Sequence, residues 1–102
     1  MIDTSEIHNL ERKTYTTIRL TGLASCGYLW DYVVDQDGIV NVSHIYDHNE
    51  KYDVMAVGSS PDELFKIFGI SAGTAVIKFM QTRPWINNDI PHATQLVTVT
   101  VI

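Results

Sequence analysis

The sequence has little that would direct it to a membrane or to a nucleic acid. Among 102 residues, seven are Lys or Arg and 12 are Asp or Glu, so the net charge is −5. Nucleic-acid binders need a basic patch that releases counterions from phosphates, and attraction to an anionic membrane surface needs the same positive charge. No apolar run approaches the roughly 18 residues of a membrane-spanning helix. We therefore expect neither a nucleic acid nor a membrane as partner.

Cysteine, helical patterning and targeting signals are equally scarce. Cys26 is the only cysteine, which excludes an internal disulfide but leaves the compartment open. The first six residues lack the positive charge and apolar stretch of a signal peptide, so we expect a chain that is cytoplasmic, or exported with its signal removed. No apolar stripe at helical spacing extends over three turns. Pro61 suits the start of a helix, but the β-branched and aromatic residues after it favour a strand.

Short β-like runs separated by turn residues account for most of the chain. The predicted strands are 14–20, 29–34, 40–46, 52–57, 64–70, 74–81 and 94–102. Asp37 and Gly38 predict a tight hairpin between 29–34 and 40–46. About seven to eight such strands are typical of an immunoglobulin-like β-sandwich. We predict a single all-β domain over residues 1–102, with Trp30 in its core.

One predicted strand bears on the oligomeric state of the protein. Residues 94–102 show the cleanest alternation of valine and threonine in the chain. A strand of this length at an exposed sheet edge could pair between chains. Nothing in the sequence places it there, and we expect a monomer when the protein is free.

Two groups of residues raise the possibility of catalysis or metal binding. Cys26 could act as a nucleophile with His44, His48 or His92 as its base, but the signatures that flank catalytic cysteines are absent. On a strand, His44 and His48 would lie about 13 Å apart at ~3.3 Å per residue, too far for one metal. We expect no enzyme activity, no metal and no cofactor.

Arg83, Pro84 and Trp85 form the tripeptide that most favours a binding function. They combine a cation, a rigid residue and the largest aromatic side chain on a connection between two β-like runs. Trp and Arg are enriched in binding hot spots. A purely structural alternative is open, in which Trp85 packs under residues 86–93 and Arg83 pairs with a carboxylate. On chemistry alone the two interpretations have equal weight.

With this tripeptide, the chain resembles the chagasin-like inhibitors of papain-type cysteine peptidases. The similarity extends over residues 14–102. The segments that carry it are Gly27-Tyr28-Leu29-Trp30, Ala72-Gly73-Thr74-Ala75, Phe79-Met80-Gln81 and Arg83-Pro84-Trp85. The resemblance implies an immunoglobulin-like sandwich whose three loops at one end enter the peptidase cleft.

The same resemblance implies a reversible inhibitor of papain-like cysteine peptidases. Its peptidase-contacting residues would be Ala24, Ser25, Cys26, Gly27, Gly58, Ser59, Ser60, Arg83, Pro84 and Trp85. Small residues let the backbone approach a narrow catalytic slot, Trp85 would supply an apolar anchor, and Arg83 would supply a charge-assisted hydrogen bond.

Two of the three loops depart from the family pattern. The first family loop reads Asn-Pro-Thr-Thr-Gly, whereas residues 23–27 read Leu-Ala-Ser-Cys-Gly and keep the glycine. The glycine-rich second loop is represented by Gly58, and the third matches in full. These departures leave the target peptidase and the potency open. They also favour an alternative function, an immunoglobulin-like adhesion or scaffold module that has lost inhibitory activity.

Cys26 stands where the family has a threonine. As a hypothesis, its thiol would face the catalytic thiolate of the peptidase and form a mixed disulfide under oxidising conditions. The alternative is a plain thiol in a space that would fit serine.

Overall fold

The computed structural model describes residues 2–22, 26–45 and 62–102. Within these ranges the chain forms seven strands: β1 (Ile2–Leu10), β2 (Tyr15–Leu20), β3 (Leu29–Val34), β4 (Val40–Ile45), β5 (Glu63–Gly69), β6 (Gly73–Thr82) and β7 (Ala93–Val101). None of these described residues belongs to a helix long and apolar enough to cross a membrane. The prediction of an all-β sandwich is confirmed. The predicted strand 52–57 lies outside the described residues.

The strands form two sheets. One has four strands in the order β1-β7-β6-β3, and the other has three in the order β2-β5-β4. β1 runs parallel to β7, with Ile2 opposite Ala93 and Leu10 opposite Val101. β7 is therefore an inner strand, and the exposed edge considered for residues 94–102 does not exist. β1 itself was not predicted, because its largely polar sequence lacks a clear apolar alternation.

The predicted hairpin at Asp37 and Gly38 is wrong. Gly38 does adopt a positive φ of 82°, as a tight turn requires. However, β3 pairs with β6 and β4 pairs with β5, so the chain crosses from one sheet to the other between them. Both strands direct one face into the same core, and the Tyr32 hydroxyl donates across it to the Val42 carbonyl at 2.8 Å. Two strands that share a core from opposite sheets cannot also pair as a hairpin.

The core consists of the inward-facing residues of both sheets. It contains Leu10, Ile18, Leu20, Val40, Val42, Phe65, Ile67, Ala75, Ile77, Phe79, Val97, Val99 and Val101. Phe65 and Phe79 join the sheets, with their ring centroids 5.0 Å apart. Each such aromatic side chain contributes about 1.5–3 kcal/mol when it is fully buried. Trp30 lies on the edge strand β3 and packs, half-buried, against this cluster as predicted.

Strand direction gives the sandwich two different ends. At one end, β2 and β6 finish while β3 and β7 begin, so residues 21–28 and 83–92 connect strands there. We call this the loop end. Ile45, where β4 finishes, and Glu63, where β5 begins, are at the same end. The opposite end carries the connections 11–14, 35–39 and 70–72.

Candidate functional site

Trp85 and Gly27 bring two predicted loops into contact at the loop end. The Trp85 side chain is 66% exposed, so it is not packed under residues 86–93. Its six-membered ring lies against the α-carbon of Gly27, where an added methyl group would overlap with Cη2 and stand 2.9 Å from Cζ3. Gly27 also has a φ of 87°, which side chains rarely tolerate. Glycine is therefore required twice at this position, for backbone conformation and for space.

The loop that carries Trp85 is closed by an ion pair between Arg83 and Asp89. Arg83 Nε donates to Asp89 Oδ2 at 3.1 Å, and Nη2 donates to Oδ1 at 2.8 Å. The backbone N–H of Arg83 donates to the same Oδ2 at 2.9 Å. The Ile86 N–H donates to the Arg83 carbonyl at 3.0 Å, which places Pro84 and Trp85 at the corner of a turn. Trp85 is thus held on a short, internally bonded loop.

The ion pair joins a partly exposed guanidinium to a nearly enclosed carboxylate and strongly favours the ionised form of that carboxylate. The side chain of Asp89 is only 5% exposed. Hydrogen bonds from the Arg83 side chain, and then from its backbone, lower the pKa of Asp89 to about 2. The same bond to Asp89 raises the pKa of Arg83. The guanidinium carbon also lies 5.3 Å from the ring centroid of Tyr28, within the range of a cation–π contact.

The structure therefore supports half of each interpretation of the tripeptide. Arg83 pairs with a carboxylate of its own chain, as the structural alternative held. Trp85 is exposed at the tip of its loop, as a binding function requires. Asp89 already accepts from the Nε and Nη2 groups of Arg83. A hydrogen bond from Arg83 to a peptidase stays a prediction.

Two further polar side chains fix the bases of the connections at the loop end. The Thr21 carbonyl accepts hydrogen bonds from Trp30 Nε1 at 2.9 Å and from Gln81 Nε2 at 3.0 Å. The Glu63 carboxylate accepts the Trp30 backbone N–H at 3.2 Å and lies 3.1 Å from His44 Nε2. The bonds to Trp30 and Gln81 join one sheet to the other, whereas the contact between Glu63 and His44 lies within one sheet. No role was predicted for Gln81 or Glu63 from the sequence. The signal that could have indicated one is a polar residue at the end of an otherwise apolar strand face.

The remaining predicted site residues fall into two groups. Cys26 is an exposed free thiol next to Gly27, at the start of the chain segment that enters β3. Ala24, Ser25, Gly58, Ser59 and Ser60 lie outside the described residues. The same holds for His48. In ranges 2–22, 26–45 and 62–102, no three His, Cys, Asp or Glu side chains could together hold a metal ion.

A rigid sandwich that presents an exposed tryptophan on a braced loop is a scaffold for binding another protein. Residues 9–101 match the family described as chagasin family peptidase inhibitor I42. The chain belongs to this family. It is a peptidase inhibitor and not an enzyme, and the predicted inhibition of papain-like cysteine peptidases is confirmed.

Solved structures show the same fold over the whole chain. The cysteine protease inhibitor EhICP2 from Entamoeba histolytica is 18% identical, covers 97% of each chain and has a TM-score of 0.68. PbICP-C, solved in complex with falcipain-2, is 19% identical over 98% of this chain and 89% of its own, with a TM-score of 0.68. Amebosin is 25% identical over 100% and 99%, with a TM-score of 0.62. None of the curated proteins gives a significant match.

Proposed function

We propose that the loop end of the sandwich occupies the active-site cleft of a papain-like cysteine peptidase, and that residues 1–102 act as one inhibitor domain. The observation that carries this proposal is the contact between Gly27 and Trp85, which unites the first and third predicted loops in one tip. The proposed contacting residues are Ala24, Ser25, Cys26, Gly27, Gly58, Ser59, Ser60, Arg83, Pro84 and Trp85. Of these, the described residues are Cys26, Gly27 and the tripeptide.

The chemistry of the tip suits a narrow cleft. Cys26 and Gly27 are small, so the backbone can approach catalytic residues closely. Trp85 offers a large exposed apolar surface, and aromatic side chains of this kind supply much of the energy of protein interfaces. Together they make a tip with a thin part for the catalytic slot and a broad part for the cleft wall.

Rigidity supports tight and reversible binding. The Arg83–Asp89 pair holds the Trp85 loop before any partner arrives. A surface that is already ordered loses less conformational entropy on binding. Because Asp89 neutralises the guanidinium, we propose that Arg83 acts mainly by shaping this loop and only secondarily through its charge.

The partner is proposed from the family and from one solved complex. PbICP-C was solved in complex with falcipain-2. A papain-family peptidase is accordingly the proposed partner of this chain. We propose that the chain is a monomer before it binds the peptidase. Neither a nucleic acid nor a membrane enters the proposal, in keeping with the net charge of −5.

Titration of papain with the purified chain tests the proposal. We expect inhibition of the hydrolysis of a fluorogenic peptide, and Trp85→Ala should raise Ki about tenfold or more. Its thermal unfolding should barely change, because Trp85 is exposed. Tyr15→Ala is the matched control, since Tyr15 is an aromatic residue 59% exposed at the opposite end.

Two results would contradict the proposal. Equal Ki values for Trp85→Ala and Tyr15→Ala would show that the loop end is not the binding surface. A wild-type chain that leaves both papain and a cathepsin fully active would favour the alternative, an immunoglobulin-like module without inhibitory activity.

A further inference from the structure

The carbonyl of Thr21 is an unusual meeting point of three elements. The register between β2 and β5 ends at Leu20, so this carbonyl lies one residue beyond the ladder. Thr21 as a residue is exposed, and a carbonyl beyond the end of a ladder can accept from water, from another backbone group or from a side chain. Here the donors are side chains, the indole N–H of Trp30 on β3 and the amide of Gln81 on β6.

The position of these residues links the two parts of the tip. Thr21 is the first residue of the connection 21–28, which contains Gly27, and Gln81 lies two residues before Arg83. The hydrogen bond of 3.0 Å between them therefore joins the base of one connection to the base of the other. Further out, the same two connections touch again where Gly27 meets Trp85.

Gln81 is an unexpected residue for its place in the core. It continues the inward face formed by Ala75, Ile77 and Phe79, and it is only 2% exposed. Burying an amide is unfavourable unless it is hydrogen-bonded, whereas methionine fills a similar volume without that requirement. A glutamine at this buried position therefore indicates that its hydrogen bond to Thr21 is required, since an apolar side chain would fill the same space.

We propose that Gln81 is a positioning residue of the inhibitory tip. By bonding to Thr21, it sets the connection that holds Gly27 against the loop that holds Trp85. The inference rests on the proposed function and adds to it a residue that, being buried, touches no peptidase and yet sets the affinity for one.

The test compares Gln81→Met with wild type in two measurements. The substitution keeps the volume and removes the donor. We expect Ki for papain to rise about tenfold, as when the support of a binding site is loosened, while thermal unfolding stays equal or shifts to higher temperature. In the free chain, the NMR shift that the Trp85 ring current imposes on the Gly27 α-protons should shrink toward the value in Trp85→Ala.

Val101→Ala is the matched control. Val101 is equally buried and lies in the same sheet, at the opposite end. Its truncation should lower the temperature of unfolding and leave both Ki and the Gly27 shift at their wild-type values. Should Gln81→Met not fold, Gln81→Leu serves instead, because it also removes the donor to the Thr21 carbonyl and places no charge in the core.

The outcomes separate this inference from the function on which it rests. A wild-type chain that does not inhibit papain or a cathepsin overturns the proposed function, and the Gly27 shift still decides the role of Gln81 in the free chain. If wild type inhibits and Gln81→Met keeps the wild-type Ki or the wild-type Gly27 shift, Gln81 is not a positioning residue.

Discussion

The two ends of the sandwich differ in how far their hydrogen bonds are made by side chains. At the opposite end, backbone groups bond to each other: Arg12 N–H donates to the Ile102 carbonyl at 3.1 Å, and Lys13 N–H donates to the Gly69 carbonyl at 2.8 Å. At the loop end, backbone bonds from Ile86 to Arg83 and from His92 to Gln81 are supplemented by side-chain bonds, in which Asp89 binds Arg83 and Gln81 binds Thr21. The opposite end therefore depends mainly on the path of the main chain, with Asp35 as a side-chain acceptor, whereas the loop end depends more on residue identity.

This difference indicates which end can be tuned for binding. A backbone hydrogen bond survives most substitutions, since every residue except proline carries the same donor. A bond made by a carboxylate or an amide disappears with its side chain. Substitutions at the loop end should therefore change the inhibitor's affinity more than its stability, and substitutions at the opposite end should do the reverse.

The largest effect is expected for Gly27→Val. The new side chain would overlap with the Trp85 ring and would be strained at a φ of 87°. A β-branched residue in this conformation should cost about 1–3 kcal/mol of stability, and displacement of Trp85 should raise Ki about 100-fold. Chemical denaturation and papain titration measure the two quantities. Gly38→Val, at a similar φ with open space around it, should cost stability alone; equal Ki values for both variants would contradict the comparison.

The next largest effect is expected for Cys26→Trp. A bulky side chain beside Gly27 should keep the tip out of a narrow cleft and raise Ki about tenfold or more. Because Cys26 is exposed, unfolding should barely change. Cys26→Ser is the control. It distinguishes a thiol that forms a mixed disulfide with the peptidase from a thiol that only fills a small space. Wild-type inhibition in Cys26→Ser, with or without dithiothreitol, would exclude a mixed disulfide with the peptidase.

A smaller effect is expected for Asp89→Ala. Loss of the carboxylate removes three hydrogen bonds to Arg83 and frees the Trp85 loop to move. A less preorganised loop should raise Ki roughly five- to tenfold. The matched control is Asp35→Ala, which removes a carboxylate that accepts the Val76 N–H at 2.7 Å at the opposite end. If Asp35→Ala weakens inhibition as much as Asp89→Ala, the two ends do not differ as described.

The smallest effect concerns pH. Folding lowers the pKa of Asp89 from 3.8 to about 2, so its stabilising effect is present above the unfolded pKa and is lost as pH falls through the folded one. The Gly27 α-proton shift of the folded chain should therefore show an acid transition centred near the folded pKa of about 2. Asp89→Asn should lack this acid transition. An acid transition of the same size in Asp89→Asn would contradict the assignment.

The sequence predicted the strands well because alternation of apolar residues is a local property. Residues 29–34 form β3 with the predicted bounds, and Val97, Val99 and Val101 are buried as their spacing indicated. The sequence did not predict which strands pair with each other, because pairing joins residues that are far apart in the chain. The turn at Gly38 was recognised from its residues, but the sheets to which its two flanking strands belong were not.

The candidate site shows the same division. The resemblance identified Gly27 and Trp85 as residues of the tip. It gave no indication that they touch, that Asp89 occupies Arg83, or that Gln81 lies under both connections. Gly27 and Trp85 are far apart in the sequence, as are Thr21 and Gln81, so no local pattern encodes their contacts. Arg83 and Asp89 lie on the same connection, and their pairing depends on how that connection turns.

By itself, then, the chain's order of residues determined an all-β inhibitor with a tryptophan on a turn, because patterning, turn chemistry and family motifs all act over short distances. Only the tertiary structure decided that β1 pairs with β7, that two connections meet at Gly27 and Trp85, and that side-chain hydrogen bonds hold these connections. The physical reason is that hydrogen bonds and packing depend on distance in space, which strand pairing sets after the local structure has formed.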